Sequence, residues 1–527
     1  MDGKESTLLS LWIQKISKED YWAFFSALIL GIFTHLFALT NKLINHDDLI
    51  SLFSRVSYDH LGRWMQKYLS FWSSTYSMPA VNGLFALVFL SLSVVLVVRI
   101  LGLKRRWLII LTGASMVTFY TVAGSFGHMY MAEIFFAAMF LALLGVLIAD
   151  RYPTLWGMAA AGICYVVSLA LYQAYLAFAV AICALRILQL LLEKKTEDAE
   201  LLKRTAVFVG SVLLGLIAYL LATKLVMAIT GQELGGYNNL SSMGNVTGSV
   251  LLSRIGRSYG KFFEFLFESA AEYTHWLIIP MNGAALLGAA VLMVYFFVAD
   301  GKKSLFQSIF TPVVILLLPM VFNCIELYGA ADVHILMQYG FVGVYLLVLM
   351  LTQMFLERGN MPFRFLLHSV VELCCVVLLF FSSLNWGVAS NQAYLLQYLA
   401  YENCYAIASS IMQSVISHPD YEPGMGIWVK GTFTEGNYPM IYATAMEDTQ
   451  PSEDDRKIDG YWLLNWYGNF IEFSKYYLGM DIIKPDRELR NQIEASEEFK
   501  AMPNYPAQGS VCEMEGIMVV KISDVEE

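Results

Sequence analysis

Asp47 and Asp48 are the residues around which chemistry can be built, set in Asn45-His46-Asp47-Asp48-Leu49 and followed by Gly62-Arg63-Trp64. A carboxylate beside a membrane-surface groove can take the proton from an attacking hydroxyl, the base role that glycosyl transfer to an alcohol requires. The same pair can also do no chemistry. Asn45 reads as a helix N-cap, and two acids in a first helical turn complement the helix dipole. Position favours the chemical reading: the pair follows the first long apolar run and precedes a Trp- and Tyr-rich stretch. Two acids alone make a poor cage for a divalent cation.

Cations with matching spacing follow. Arg63 and Lys67, four apart, are expected on one helix face, as are Arg254, Arg257 and Lys261. Such residues either snorkel to lipid headgroups or meet the charge that develops on a phosphate leaving group. Polar residues inside apolar runs are costly and therefore informative. They gather at Glu133 with His128, at Tyr172-Gln173-Ala174-Tyr175, and at Asn323, Glu326, Asp332, His334 and Gln338. Interhelical hydrogen bonds would explain each singly. Their convergence on one side of the spans predicts a water-accessible cavity, with His46, Trp64, Glu133, Tyr172, Gln173, Tyr175 and His334 as its candidate lining.

The elements that must hold these residues are helices in lipid. Of 527 residues 57% are apolar and 15% charged, with net charge -10 and mean hydropathy +0.56. Soluble chains carry roughly 25% charge. At about 20 apolar residues per span, about eleven spans are expected, near 21–40, 80–99, 107–123, 128–149, 154–171, 174–192, 206–229, 274–298, 305–326, 335–356 and 365–386. Lys and Arg then fall in alternate short loops (Arg99 with Lys104 to Arg106, Arg151, Lys194, Lys203, Arg204, Arg358). The positive-inside rule puts that side, and residues 1–20, in the cytoplasm. Loops 41–79 and 230–273 and the tail after 387 go to the opposite, outer side. Leu61, Trp64, Met65, Tyr68, Leu69 and Trp72 recur at threes and fours, predicting an amphipathic helix lying in the interface. Residues 388–418 read as helix. Beyond them 426–433, 440–446 and 515–523 read as strands of a small extracytoplasmic α/β domain spanning 388–527.

Several classes are excluded. The chain has no Walker loop for a nucleotide-driven pump and no HExxH or paired-Cys zinc pattern. It has no basic patch with interleaved aromatics for nucleic acid. The seven cysteines lack metal spacing; a disulfide between Cys404 and Cys512 stays open. The N-terminus lacks the features of a cleaved signal peptide.

The acidic pair with Gly62-Arg63-Trp64, the Leu171-Tyr172-Gln173-Ala174-Tyr175 element and the number of spans resemble the Gtr-type glucosyltransferases of bacteria, within the GT-C class of polytopic glycosyltransferases. The resemblance covers about residues 20–390. It implies a fold of membrane helices around residues 21–387 and transfer of glucose or a related hexose, with inversion, from a polyprenyl-phosphate sugar. The acceptor would be a surface polysaccharide or teichoic-acid-like polymer at the outer face of the cell membrane. The donor would be made and flipped by a separate synthase and flippase. No cofactor or divalent metal is implied. The base maps onto Asp47 or Asp48, and Arg63, Lys67 and Arg257 become candidates for the donor phosphate. A basic residue expected near the outer end of a late span is missing, and His334 stands in that region. A lipid-linked-sugar or polysaccharide flippase, or a non-catalytic assembly scaffold, are the competing readings. A flippase should carry polar residues through the whole membrane depth, whereas here they gather at one side.

Overall fold

The computed structural model describes residues 16–53, 58–70, 77–233, 235, 248–269, 275–299, 304–328, 333–358, 363–431, 464 and 467–524. The side chain of His46, Trp72, Asp332 and the predicted strand at 440–446 lie outside the described residues.

Apolar runs become helices because a chain in hydrocarbon must satisfy its backbone polar groups internally. In order these are α1 (Lys18–Thr40), the short α2 (His46–Ile50) and α3 (Gln66–Leu69), α4 (Pro79–Leu101), α5 (Arg106–Thr118), α6 (Tyr120–Gly127), α7 (Ala132–Arg151) and α8 (Leu155–Leu171). They continue with α9 (Tyr175–Glu193), α10 (Asp198–Thr230), α11 (Gly248–Glu264), α12 (Ile278–Ala299), α13 (Leu305–Phe322), α14 (Ile325–Tyr328), α15 (Gly343–Leu356) and α16 (Arg364–Ile416). Among the described residues nine helices are long and apolar enough to cross a membrane. The chain is a membrane protein. Two of the expected spans take other forms: α5 and α6 are bent by 43° at Phe119, and α8 has 17 residues.

The core is a chain of neighbours, α1 on α4 and α5, α4 on α7, α7 on α8, and α8 on α10. Small residues let the backbones close up, as membrane helices without a hydrophobic drive between them require. A Cβ on Gly215 would stand 3.2 Å from the Gly162 carbonyl, and one on Gly145 3.1 Å from the Ala161 carbonyl. The end rich in Lys and Arg is tied by ion pairs. Arg99 grips Asp20 in two 2.7 Å bonds, and Arg186 and Arg204 share Asp150 at 3.0 and 3.4 Å.

The last span and the helix expected at 388–418 are one helix. α16 runs 53 residues without interruption, about 80 Å at 1.5 Å per residue, against a hydrocarbon core of about 30 Å. It delivers the chain to a small domain. There β1 (Gly426–Lys430), β2 (Val511–Met514) and β3 (Ile517–Lys521) form a sheet in the order β1-β3-β2, with β1 parallel and β2 antiparallel to β3. Helices α17 (Tyr467–Phe473), α18 (Arg487–Ala495) and α19 (Glu497–Ala501) complete it. Cys404 packs in the apolar cluster and Cys512 lies 3.5 Å from the Met502 sulfur, so the two do not form a disulfide.

One charge lies deep in this domain. Lys521, 2% exposed, donates to the carbonyls of Met502 at 3.1 Å, Lys500 at 3.3 Å and Phe499 at 3.4 Å, and pairs with Asp524 at 2.7 Å. Lys521→Met should therefore loosen the 499–502 turn and destabilise the domain by about 2–4 kcal/mol. Limited proteolysis would read this as faster cutting within 420–524, and unchanged cutting would contradict it.

Candidate active site

The site begins with a cap. Asn45 accepts a hydrogen bond from the Asp48 amide at 2.7 Å, which starts α2 and sets two acids in its first turn. The Asn45 amide also donates to the Gly127 carbonyl at 2.9 Å, pinning α2 to the end of α6. The capping expected of Asn45 is therefore present, made by its own side chain.

The two aspartates have different fates. Asp48 is fully buried, ion-paired with Lys42 and hydrogen-bonded by the Ser77 hydroxyl; Lys42 also reaches Ser77 at 2.8 Å. A charge so enclosed must be neutralised where it sits. Asp47, one residue earlier and half-buried, faces another environment. Its charge acts on Tyr58, and the charges of both aspartates act on Tyr130, whose hydroxyl lies 2.7 Å from that of Tyr58. Burial first, and the Asp47 charge second, push the Tyr58 phenol up to about 12. It stays a donor throughout the physiological range.

Residues 58–70 do not form the interfacial helix expected of them. Asp59–Leu61 is a 3-10 turn, Gly62 is left-handed at φ 74°, and helix resumes only at Gln66. The stretch is threaded into the bundle, and the helices around it satisfy its backbone. Gln173 donates to the Leu61 carbonyl at 2.8 Å, Tyr219 to the Gly62 carbonyl at 3.2 Å, and Gln66 to the Leu171 carbonyl at 2.8 Å. The Met65 amide donates to the Ala170 carbonyl at 3.1 Å, and the Trp64 indole to Thr223 at 3.1 Å. Irregular backbone at this depth is tolerated only when so enclosed.

Arg63 and Lys67 consequently part company. The Arg63 Nε donates to Gln173 Oε1 at 3.2 Å, and its guanidinium lies 4.8 Å from the Tyr172 ring centre. Lys67 turns to Asp59 at 2.7 Å, a bond that raises its pKa. The Tyr172 ring stands 4.4 Å from Phe135, and Tyr175 is fully buried with its hydroxyl 3.5 Å from Ser125. Glu133, 3% exposed in the first turn of α7, accepts from Asn82 at 3.1 Å. His128 and His334 meet edge to face with ring centres 6.0 Å apart. Arg257 belongs to a different cluster on α11, paired with Glu326 at 3.0 Å, while Arg254 donates to the Leu327 carbonyl at 3.0 Å.

The fold thus brings Asp47, Tyr58, Tyr130, Arg63, Tyr172 and Gln173 to one end of the bundle. Lys42, Ser77, Tyr58, Tyr130 and Tyr219 escape a reading of the sequence, because their partners lie 6 to 157 residues away. Tyr130 and Tyr219 leave a trace, as polar rings inside expected spans. Among the described residues no three His, Cys, Asp or Glu side chains are placed to hold a metal.

The Gly62 turn is the most exacting position. A Cβ there would run into the Tyr219 hydroxyl, on a backbone that L side chains rarely adopt. Gly62→Ala should destabilise the protein by about 1–3 kcal/mol, seen as a lower melting temperature in detergent. An unchanged melting temperature would mean that residues 58–70 are not locked into the bundle.

A family model described as Glucosyl transferase GtrII matches residues 36–346, from the end of α1 into α15, and so spans the acidic pair, the Gly62 turn and the Tyr172-Gln173 element. No curated protein and no solved structure matches the chain. The match covers more than half of the sequence, and the protein belongs to the GtrII glucosyl transferase family.

Proposed function

We propose that this glycosyltransferase moves glucose, or a related hexose, from a polyprenyl-phosphate donor to a surface polysaccharide or teichoic-acid-like acceptor, with inversion and with Asp47 as the base. The observation that carries the assignment is the unequal burial of two adjacent acids. Asp48 is enclosed with Lys42 and Ser77, whereas Asp47 keeps partial access beside the Tyr58–Tyr130 hydroxyl pair. A base must reach the proton it removes, and of the two acids the half-buried Asp47 is the better suited to that role.

In the reaction the acceptor hydroxyl attacks the anomeric carbon and gives its proton to Asp47. The bond from that carbon to the donor phosphate oxygen breaks, and polyprenyl phosphate leaves with the negative charge. Arg63, held in place by Gln173 and by the Tyr172 ring, offsets that charge as it develops. A planar cation stacked on a ring is already oriented before the substrate arrives. Tyr172, Gln173, Trp64, Glu133, His46, Tyr175 and His334 are the candidates for the sugar and acceptor lining. Lys67 and Arg257 are second candidates for the phosphate, each reached only by exchange from its present acid, Asp59 or Glu326.

Orientation follows from charge. The Lys- and Arg-rich loops support a cytoplasmic position for the opposite end of the bundle, with the site and the C-terminal domain on the outer side. A synthase and a flippase then supply the donor from within. Transfer needs neither a cofactor nor a divalent metal in this reading.

Transfer from radiolabelled polyprenyl-phosphate-glucose by purified protein in detergent tests this, with a crude cell-wall polysaccharide acceptor and with or without chelator. Asp47→Asn should fold normally and lose about a hundred- to ten-thousandfold in rate, and wild-type transfer should survive chelation. Asp48→Asn should instead lower stability by about 2–4 kcal/mol, a broken buried pair eased by the 25% exposure that Lys42 keeps. Full transfer by Asp47→Asn would overturn the assignment.

A further inference from the structure

The helix that carries the proposed base does not belong to the membrane core. Leu43 packs in the bundle's apolar cluster, but Ile44, Leu49 and Leu52 belong to a second cluster, that of the C-terminal domain. There they join Cys404, Ile407 and Ile411 of α16, Tyr467, Phe470 and Phe473 of α17, and Trp428 and Val519 of the sheet. α17 packs directly on α2. Phe53 meets the Tyr476 ring at 5.0 Å, and Gln397 of α16 donates to the Ile44 carbonyl at 3.4 Å. The Tyr477 phenol lies close enough to Asp48 for that charge, after burial, to raise its pKa.

α2 is five residues long, far below the length at which a helix holds its shape unaided. Its cap fixes only where it starts. Leu49 lies about 200° round the helix from Asp47, so burying Leu49 against the C-terminal domain turns Asp47 toward Tyr58 and Tyr130. From this we infer that the C-terminal domain is a wall of the active site, and that Phe470 and its neighbours on α17 are positioning residues for Asp47. The inference rests on Asp47 being the base. It assigns the domain to catalysis rather than to acceptor capture.

The test uses the full chain. Backbone hydrogen exchange of residues 45–53, where Leu49 donates to Asn45 at 3.0 Å and Ser51 to Asp48 at 3.2 Å, is measured beside transfer kinetics. Phe470→Ala should speed exchange in 45–53 about tenfold or more while α4 and α7 keep their protection. It should lower kcat about ten- to a hundredfold with both KM values unchanged. Phe470→Leu should recover most of that loss. Leu49→Ala attacks the same contact from α2 and leaves the C-terminal domain's own side chains intact; it should reproduce the kcat loss even if Phe470→Ala fails to fold. Unchanged exchange in 45–53 for Leu49→Ala overturns the inference, as does a retained kcat with a raised acceptor KM. If wild-type protein transfers no sugar from the labelled donor, the reading of the donor fails, and the exchange result still decides whether the domain holds α2.

Discussion

A carboxylate removed from water must be met by fixed partners, and around Asp48 that requirement organises the site. Its partners are Lys42, from the strap that leaves α1, and Ser77, from the approach to α4. The three residues close the loop 42–77 at its base. Such a triad adds little net stability over an apolar equivalent, because desolvation offsets most of the attraction. What it supplies is definition: Asp48 is held by Lys42 and Ser77 while Leu49 packs in the C-terminal cluster, so α2 is fixed from two sides. Two identical side chains, adjacent in sequence, thus sit in unequal surroundings, one enclosed and one half-buried.

The second constraint is backbone polarity at depth. Residues 58–70 could not stay irregular inside a bundle of membrane helices without partners for their backbone, and Gln173, Tyr219 and Ala170 meet the Leu61 carbonyl, the Gly62 carbonyl and the Met65 amide. Gln173 has a further part, since its oxygen accepts from Arg63 while its nitrogen serves Leu61 and Tyr219. One amide thereby joins the structural requirement to the proposed phosphate contact. The cation is oriented by the same groups that keep the loop from unravelling.

Much of this was legible in the sequence, because the signals were local. Apolar runs mark the helices, Asn45 announces a cap, and Tyr172-Gln173 stands out as polarity where a span should be apolar. The grouping of polar residues at one end also follows from counting spans. What failed was inference across distance. Leu61, Trp64, Met65, Tyr68 and Leu69 have helical spacing, yet Gly62 breaks the stretch and its neighbours absorb it. Spacing alone cannot tell a helix lying on a bundle from a kinked segment held inside one. The Tyr58–Tyr130 contact spans 72 residues, and the Tyr219–Gly62 contact 157. Nothing local in Ile44, Leu49 and Leu52 says that their core is built from residues beyond 400.

The unbroken helix α16 adds a consequence of a different kind. A helix of 53 residues is a shaft: it fixes distance and also angular phase. Each residue advances the chain about 1.5 Å and turns it about 100°. A single insertion between Trp386, packed in the bundle, and Cys404, packed in the domain, would swing the whole domain about 100° around the shaft and carry α17 off α2. An insertion of seven would restore the angle within about 20° but lift the domain by about 10 Å. The number of residues in that stretch is thus as much a part of the seating of α17 on α2 as the identity of any one of them.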